Sequence, residues 1–171
     1  MEPIHVQGLY KAIIRQITEE DFDIVCQTEQ KSFPEGEPAS AKQLRDRFNA
    51  AKELFLVFVI DGEVIGHICG TRSNDDLLTF QSMYEHIPGG KYLCIHSVCI
   101  HEKFQRKGIA SVMVNHYTAY IKQNFPDIVL INLVAHDYLI SFYEKVGFQC
   151  VGSSSVNFGK LPWYNIQMKL Q

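Results

Sequence analysis

Between Tyr92 and Ala110 an apolar run, YLCIHSVCI, passes through the basic loop HEKFQRK to a glycine, and a helix starts at or near that residue, Gly108. Backbone N–H groups at the start of a helix lack intrahelical partners, and the helix dipole adds partial positive charge there. Such a place binds phosphate. Gly108 has no side chain, so an anion can approach its backbone closely. Arg106 and Lys107 add charge to the same loop. The rest of the chain is read around this strand, which delivers an anion-binding loop to the head of a helix.

The 171 residues fit one domain, long enough to bury a sizeable core without cross-links. The composition is that of a soluble globular protein. A net charge of −3 argues against a nucleic-acid partner, and the lack of a Lys/Arg-rich run argues against an anionic membrane surface. No charged N-terminal segment leads into an apolar one, and no apolar run reaches transmembrane length. A cytoplasmic protein is the default, and a monomer is expected. The five cysteines, Cys26, Cys69, Cys94, Cys99 and Cys150, are odd in number and lack zinc-ligand spacing. They read as buried free thiols, and no metal is expected.

In order, residues 1–9 form a loose start and Tyr10–Ile17 a short strand. Thr18 caps a helix over Glu19–Ser32, with Asp21 where a capping box usually has Glu. Phe22, Val25, Cys26 and Glu29 fall at helical spacing. Two prolines and a glycine make Phe33–Pro38 a loop. A second helix, Ser40–Ala51, presents Leu44, Arg47, Phe48 and Ala51. Leu54–Ile60 is an apolar strand, Asp61-Gly62 a hairpin turn, and Glu63–Thr71 the return strand. Asn74–His86 is polar, with one helical turn near Phe80–Tyr84. Pro88-Gly89-Gly90 breaks the chain before the strand Lys91–Ile100.

The long helix Gly108–Asn124 carries Ile109, Val112, Met113, Tyr117, Tyr120 and Ile121 on one face, with Ser111, Asn115, Thr118 and Lys122 outside. Ile128–Val134 is an unbroken apolar strand of the kind found inside a parallel or mixed sheet. Asp137 caps a short helix, Tyr138–Lys145, which Gly147 ends. Phe148–Val156 and Trp163–Leu170 are the last strands. Alternating strands and helices with one early hairpin give an α/β fold with a mixed sheet of about seven strands.

Two motifs now carry a resemblance. Gln105-Arg106-Lys107-Gly108-Ile109-Ala110 resembles the acyl-CoA pyrophosphate motif of the GNAT superfamily of N-acetyltransferases, Q/R-x-x-G-x-G/A. Phe142-Tyr143-Glu144-Lys145-Val146-Gly147-Phe148 resembles that superfamily's later FYEKxGF signature. About thirty residues, holding a helix and a strand, separate them. Residues Asp75–Thr79, the strand end His96–His101, Phe104 and the C-terminal layout are similar to the arylalkylamine (serotonin) N-acetyltransferases. The resemblance covers about residues 12–170, with a shorter loop near Phe33–Pro38. It implies a mostly antiparallel central sheet flanked by about four helices, in a single domain.

The resemblance also implies direct acetyl transfer from acetyl-CoA to a small-molecule primary amine in a ternary complex. The backbone of Val98, Cys99 and Ile100 would pair with the pantetheine arm, and Gln105, Arg106, Lys107, Gly108, Ile109 and Ala110 would hold the pyrophosphate. An alkylamine of pKa ~10.4 is protonated at neutral pH, so exposing its lone pair costs roughly 4–5 kcal/mol, and a base helps. Vertebrate members place two histidines two residues apart in the central strand. Here His96 matches the second and Cys94 stands at the first. Strand alternation puts 94 and 96 on one face, so one base survives and the paired relay does not. Tyr143 matches the tyrosine that protonates or steadies the departing thiolate.

His136 is a spare base candidate, while His67 reads as ordinary packing. Phe33 and Trp163 match positions that line the amine pocket, where the two rings would sandwich an aryl group or cover an alkyl chain, and Pro38 matches the family's loop proline, with Glu37 and Ala39 in place of its usual neighbours. Glu35 and Glu37 read as a solvated acidic loop or as a site for a second ammonium. On the resemblance, an arylalkylamine is favoured over a polyamine or a protein or peptide amine. A non-catalytic acyl-CoA-binding module is the alternative from another class.

Overall fold

The computed structural model describes residues 12–171 and, as backbone, Ile4 and His5. The rest of the loose start, with Tyr10 and Lys11 of the first expected strand, lies outside the described residues. The elements are β1 (Ile4–His5), β2 (Ala12–Gln16), α1 (Phe22–Ser32), α2 (Ala41–Ala50), β3 (Phe55–Ile60) and β4 (Glu63–Ser73), followed by β5 (Tyr92–Ile100), α3 (Ile109–Asn124), β6 (Leu130–Ala135), α4 (Asp137–Lys145), β7 (Gln149–Ser153) and β8 (Tyr164–Lys169). The expected mixed, mostly antiparallel sheet of seven strands with four helices is present, extended at its edge by the two-residue β1. Its order is β1-β2-β3-β4-β5-β6-β8-β7, and among the described residues only β5 and β6 run parallel.

Local chemistry explains most boundaries. Asp21 Oδ2 accepts hydrogen bonds from Thr18 N at 2.8 Å and Thr18 Oγ1 at 2.9 Å, while Arg15 grips the same carboxylate through both Nη atoms. This anchoring makes the first turn a 3-10 turn, Glu19–Asp21, so α1 begins later than expected, at Phe22. Ser40 and Gln43 form a reciprocal capping box at the head of α2. The Asp61-Gly62 turn has positive φ at both residues, 50° and 84°, as a type I′ hairpin requires. The expected turn near Phe80–Tyr84 is a 3-10 turn, Gln81–Met83.

Other boundaries move as well. The backbone of Ile128 bonds back to Phe125 and that of Val129 to Lys91, so β6 starts at Leu130. His136, not Asp137, occupies the cap position of α4, and Asp137 opens the helix by accepting from Tyr138 N. A register shift between Cys150 and Gly152 distorts β7, which ends at Ser153.

The sheet carries apolar packing on both faces. α3 and α4 cover one face through residues such as Met113, Tyr117 and Ile121 against Leu93, Ile95 and Ile131. α1 and α2 cover the other through Val25, Leu44 and Phe48 against Phe55, Val57 and Val59. The buried stripe of α3 is wider than the sequence periodicity indicates: it includes Val114 and Thr118, whose hydroxyl is satisfied by the Asn115 carbonyl at 3.1 Å. All five cysteines are free; Cys26 and Cys150 are only half-buried, Cys150 because it lies on an edge strand. No helix among the described residues is long and apolar enough to cross a membrane.

Candidate active site

β5 is where the sheet opens. It pairs with β4 along its length, from Tyr92–Ser73 to Ile100–Gly66. With β6 it pairs only over Tyr92–Cys94 against Leu130–Asn132. Beyond Cys94 the two parallel strands part, leaving one backbone edge of β5 without a strand partner among the described residues. An unpaired strand edge is a row of donors and acceptors ready for an extended ligand. Val98, Cys99 and Ile100 lie on this segment.

The split begins beside a bulge. Gly70 pairs with Ile95 and Cys69 with Ser97, which leaves His96 opposite no residue of β4. A Cβ on Gly70 would come within 2.8 Å of the Cys94 carbonyl and 3.0 Å of the Tyr117 hydroxyl, so only glycine lets the strands approach here. His96 Nε2 lies 2.7 Å from Thr71 Oγ1, and Thr71 Oγ1 lies 3.1 Å from the Ser82 carbonyl. A hydroxyl has one proton, and a carbonyl can only accept. Thr71 therefore donates to Ser82 and accepts from His96 Nε2–H. That leaves Nδ1 with the lone pair, buried and without a hydrogen-bond partner. Burial, and then the positive charge of Arg47, hold this imidazole well below its ordinary range. Cys94, two residues back, is buried and its thiol is pushed up to about 11 by desolvation, so it is no proton acceptor at neutral pH.

His96 lies where two cavities meet. One, of about 150 Å³, is lined by Glu29, Phe33, Glu37, Pro38, Arg47 and Phe80 among others. The second, of about 250 Å³, runs along the split and is lined by Val98, Leu133, Tyr138, Leu139 and Tyr143 among others. Phe33, Glu37, Ile95, His96, Val134 and Trp163 border both. Tyr143 sits on α4 with its ring edge-on to Phe142 and Phe148. Burial raises its phenol far above the ordinary value, so it remains protonated.

The Phe33–Pro38 loop is fastened across the cavities. The Glu37 side chain is 2% exposed, and His136 Nε2 lies 3.0 Å and 3.1 Å from its two oxygens. The solvated acidic loop of the sequence reading therefore holds for the exposed Glu35 but not for Glu37. His136 Nδ1 faces the Pro162 carbonyl at 3.0 Å, and its ring stacks on Trp163 at 3.9 Å. Phe158 also stacks on the indole, at 4.4 Å. Trp163 is 7% exposed, so most of its indole is packed, although both it and Phe33 line the two cavities. Phe80 and Tyr84, exposed and 5.2 Å apart, supply aromatic surface at the rim.

Past Ile100, a 3-10 turn over Glu102–Phe104 leads to exposed Gln105, Arg106, Lys107 and Gly108. Arg106 and Gly108 both have positive φ, 60° and 75°, and a Cβ on Gly108 would meet nothing within 4 Å. Gly108 is the cap of α3, so the first amides of the helix, those of Ile109 and Ala110, lack intrahelical partners. Gln105 bonds the Ile100 carbonyl at 2.9 Å, tying this loop to the free end of β5.

Residues 14–148 match the Acetyltransferase (GNAT) family. The chain belongs to that family. A serotonin N-acetyltransferase of Mesocricetus auratus is 29% identical over 160 residues, 92% of this chain and 77% of that protein. Among solved structures, the GNAT-like decarboxylase GphF in complex with isobutyryl-CoA superposes with a TM-score of 0.79 at 16% identity, covering 92% of this chain and 99% of that one. The loading GNATL domain of CurA from Lyngbya majuscula gives 0.80 at 12% identity over 94% and 98%. These two likenesses are of fold. The GNAT protein described here is an acyltransferase.

Sequence reasoning missed the polar network under the site of this GNAT enzyme. Glu29 is buried with both oxygens occupied: Oε1 accepts from Ala39 N and Ser97 Oγ, each at 3.0 Å, and Oε2 lies 2.9 Å from His67 Nε2 and 3.2 Å from Cys99 Sγ. Burial alone would raise this carboxyl, but the hydrogen bond and charge of His67, with those from Ala39 and Ser97, outweigh it and hold the group below its usual range. Glu29, His67 and Cys99 offer donor atoms within 4.8 Å of one another, a spacing that would also suit a metal ion. His67 is thus not ordinary packing: its Nε2 meets a buried carboxylate. One signal was present, since Glu29 falls on the apolar stripe of its helix. Nothing in the sequence linked it to residues 67, 97 and 99. The Thr71 contact was equally hidden, although Gly70 inside a strand is a recognised mark of a bulge.

Proposed function

We propose that this GNAT enzyme transfers acetyl from acetyl-CoA to the primary amine of an arylalkylamine by direct attack in a ternary complex. The observation that carries the reading is His96, held by Thr71 where two cavities meet, one of them running along the split and lined by Tyr143. Residues 1–171 are read as one domain of this kind. Acetyl-CoA would supply the thioester. The free edge of β5 at Val98, Cys99 and Ile100 suits the amide-bearing pantetheine arm. The loop Gln105–Ala110, with its exposed cations and open helix head, suits the pyrophosphate.

On this reading the amine nitrogen bonds to the acetyl carbon as the C–S bond breaks. His96 Nδ1 receives the proton that the amine sheds, directly or through water, with the Glu37–His136 pair as a second acceptor on the same cavity. Tyr143, kept protonated by burial, gives its proton to the departing sulfur or steadies it by a hydrogen bond. Phe33, Pro38 and the edge of Trp163 line the acceptor side, with Phe80 and Tyr84 at its rim. Arylalkylamine specificity is supported by this aromatic lining and by the serotonin N-acetyltransferase relative.

The test is CoA release from acetyl-CoA with tryptamine, phenylethylamine, spermidine or a short lysine peptide, in wild type and Tyr143→Phe. Release with the aryl amines, lowered by the substitution, is expected. Preference for spermidine or the peptide overturns the substrate class, and no release with any amine overturns the reading.

A further inference from the structure

We propose that Arg47 forms an anion-binding floor in the acceptor cavity, and that the natural acceptor is an amine that also carries a carboxylate. The inference rests on the acetyl-acceptor reading of that cavity. Arg47 lies on α2, only 5% exposed, and lines the cavity that holds His96, Phe33 and Trp163. Its guanidinium has five N–H donors. Nη2 donates to the Met83 carbonyl at 3.0 Å, Nη1 makes a long contact of 4.0 Å with Cys69 Sγ, and Nε is buried without a partner. Among the described residues no carboxylate lies within 4 Å of it, whereas Arg15, Arg45 and Arg72 each have one.

A buried charge without a counter-charge is costly, and native proteins pair such groups or place them where a ligand completes the pair. Glu29, in the same cavity, does not fill the role, because both of its oxygens are already occupied by four donors. Glu37 is turned to His136. The guanidinium fork is matched to a carboxylate, which it can bind through two parallel hydrogen bonds. A single negative charge balances one guanidinium. A dianion would meet the carboxyl groups of Glu29 and Glu37 in the same space. The acceptor is thus held at two points, its anion by Arg47 and its amine by the groups beside His96.

The test uses pairs that differ by the carboxylate alone: tryptophan with tryptamine, and γ-aminobutyrate with propylamine. In wild type, kcat/KM for at least one amino acid should exceed that of its decarboxylated partner. Arg47→Met should reduce that ratio by roughly 10- to 100-fold, the range of a lost charge-assisted hydrogen-bonded pair. Arg47→Lys should reduce it less. Reading the ratio within a pair cancels any general loss of activity, and thermal unfolding checks that each variant folds. A second arm needs no catalysis: calorimetry of the acetylated products, N-acetyltryptophan against N-acetyltryptamine and 4-acetamidobutyrate against N-propylacetamide. Carboxylate-dependent binding that Arg47→Met abolishes, with no acetyl transfer to any amine, would keep the anion site and sink the acetyl-transfer reading. Transfer that favours the decarboxylated amines, with ratios unmoved by Arg47→Met, or failure of both acetylated acids to bind better than their partners, overturns the inference while leaving the transferase standing.

Discussion

The single proton of the Thr71 hydroxyl decides the chemistry available at His96. Because it goes to the Ser82 carbonyl, His96 donates from Nε2 and keeps its lone pair on Nδ1. Thr71→Val removes the acceptor that sets this tautomer; kcat should fall about 10-fold, while the dissociation constant for acetyl-CoA, read by calorimetry, stays within twofold. Folded, the imidazole titrates well below its ordinary value of ~6.5. In the interval between the folded and unfolded values the unfolded chain binds a proton that the folded chain does not, so His96 lowers stability as pH falls below about 6.5. The stability difference between wild type and His96→Gln, read by urea denaturation, should shift against the wild type from pH 7.5 to pH 5. A constant difference would contradict the assignment. Tyr143→Phe should cost roughly 10- to 100-fold in kcat with little change in unfolding midpoint.

At the scale of elements, the head of α3 and the start of β5 were legible because their signals are local. A glycine after a basic loop, a helical stripe and a hairpin dipeptide need no knowledge of the rest of the chain. Gly108 tests the first of these. At φ 75° an alanine costs about 1–2 kcal/mol of backbone strain. With open space around the added methyl, Gly108→Ala should remain folded and raise KM for acetyl-CoA several-fold, leaving KM for the amine unchanged. A change confined to the amine would place the pyrophosphate elsewhere. The bulge at His96 and the parting of β5 from β6 were not legible. Both depend on which strands become neighbours and in what register, and β6 lies about thirty residues further along the chain.

Across the whole molecule, Glu29 joins α1, the loop residue Ala39 ahead of α2, β4 and β5 in one buried cluster. Removing one partner of a buried charged network leaves the others uncompensated. Glu29→Ala should therefore cost about 3–5 kcal/mol, visible as a fall of roughly 10 °C in Tm. With its folded value held below the ordinary carboxyl range, Glu29 contributes stability above about pH 4.3 that is lost as pH falls through the folded value. A variant as stable as wild type would show that the cluster is not holding the elements together.

The sequence by itself determined the alternation of strands and helices, the apolar faces, the basic glycine loop at the head of α3 and the family motifs, since each is written in neighbouring residues. It also placed His96 and Tyr143 among the candidates and put Arg47 on the inward face of α2. Only the tertiary structure decided which side chains share a space. Glu37 and His136 are 99 residues apart in sequence and about 3 Å apart in space, and Glu29 meets Ser97 and Cys99 across 68 and 70 residues. Whether a polar group on an apolar face is satisfied, as Glu29 is, or left open, as Arg47 is, depends on donors and acceptors brought in from distant segments. That accounting exists only once the chain has closed on itself.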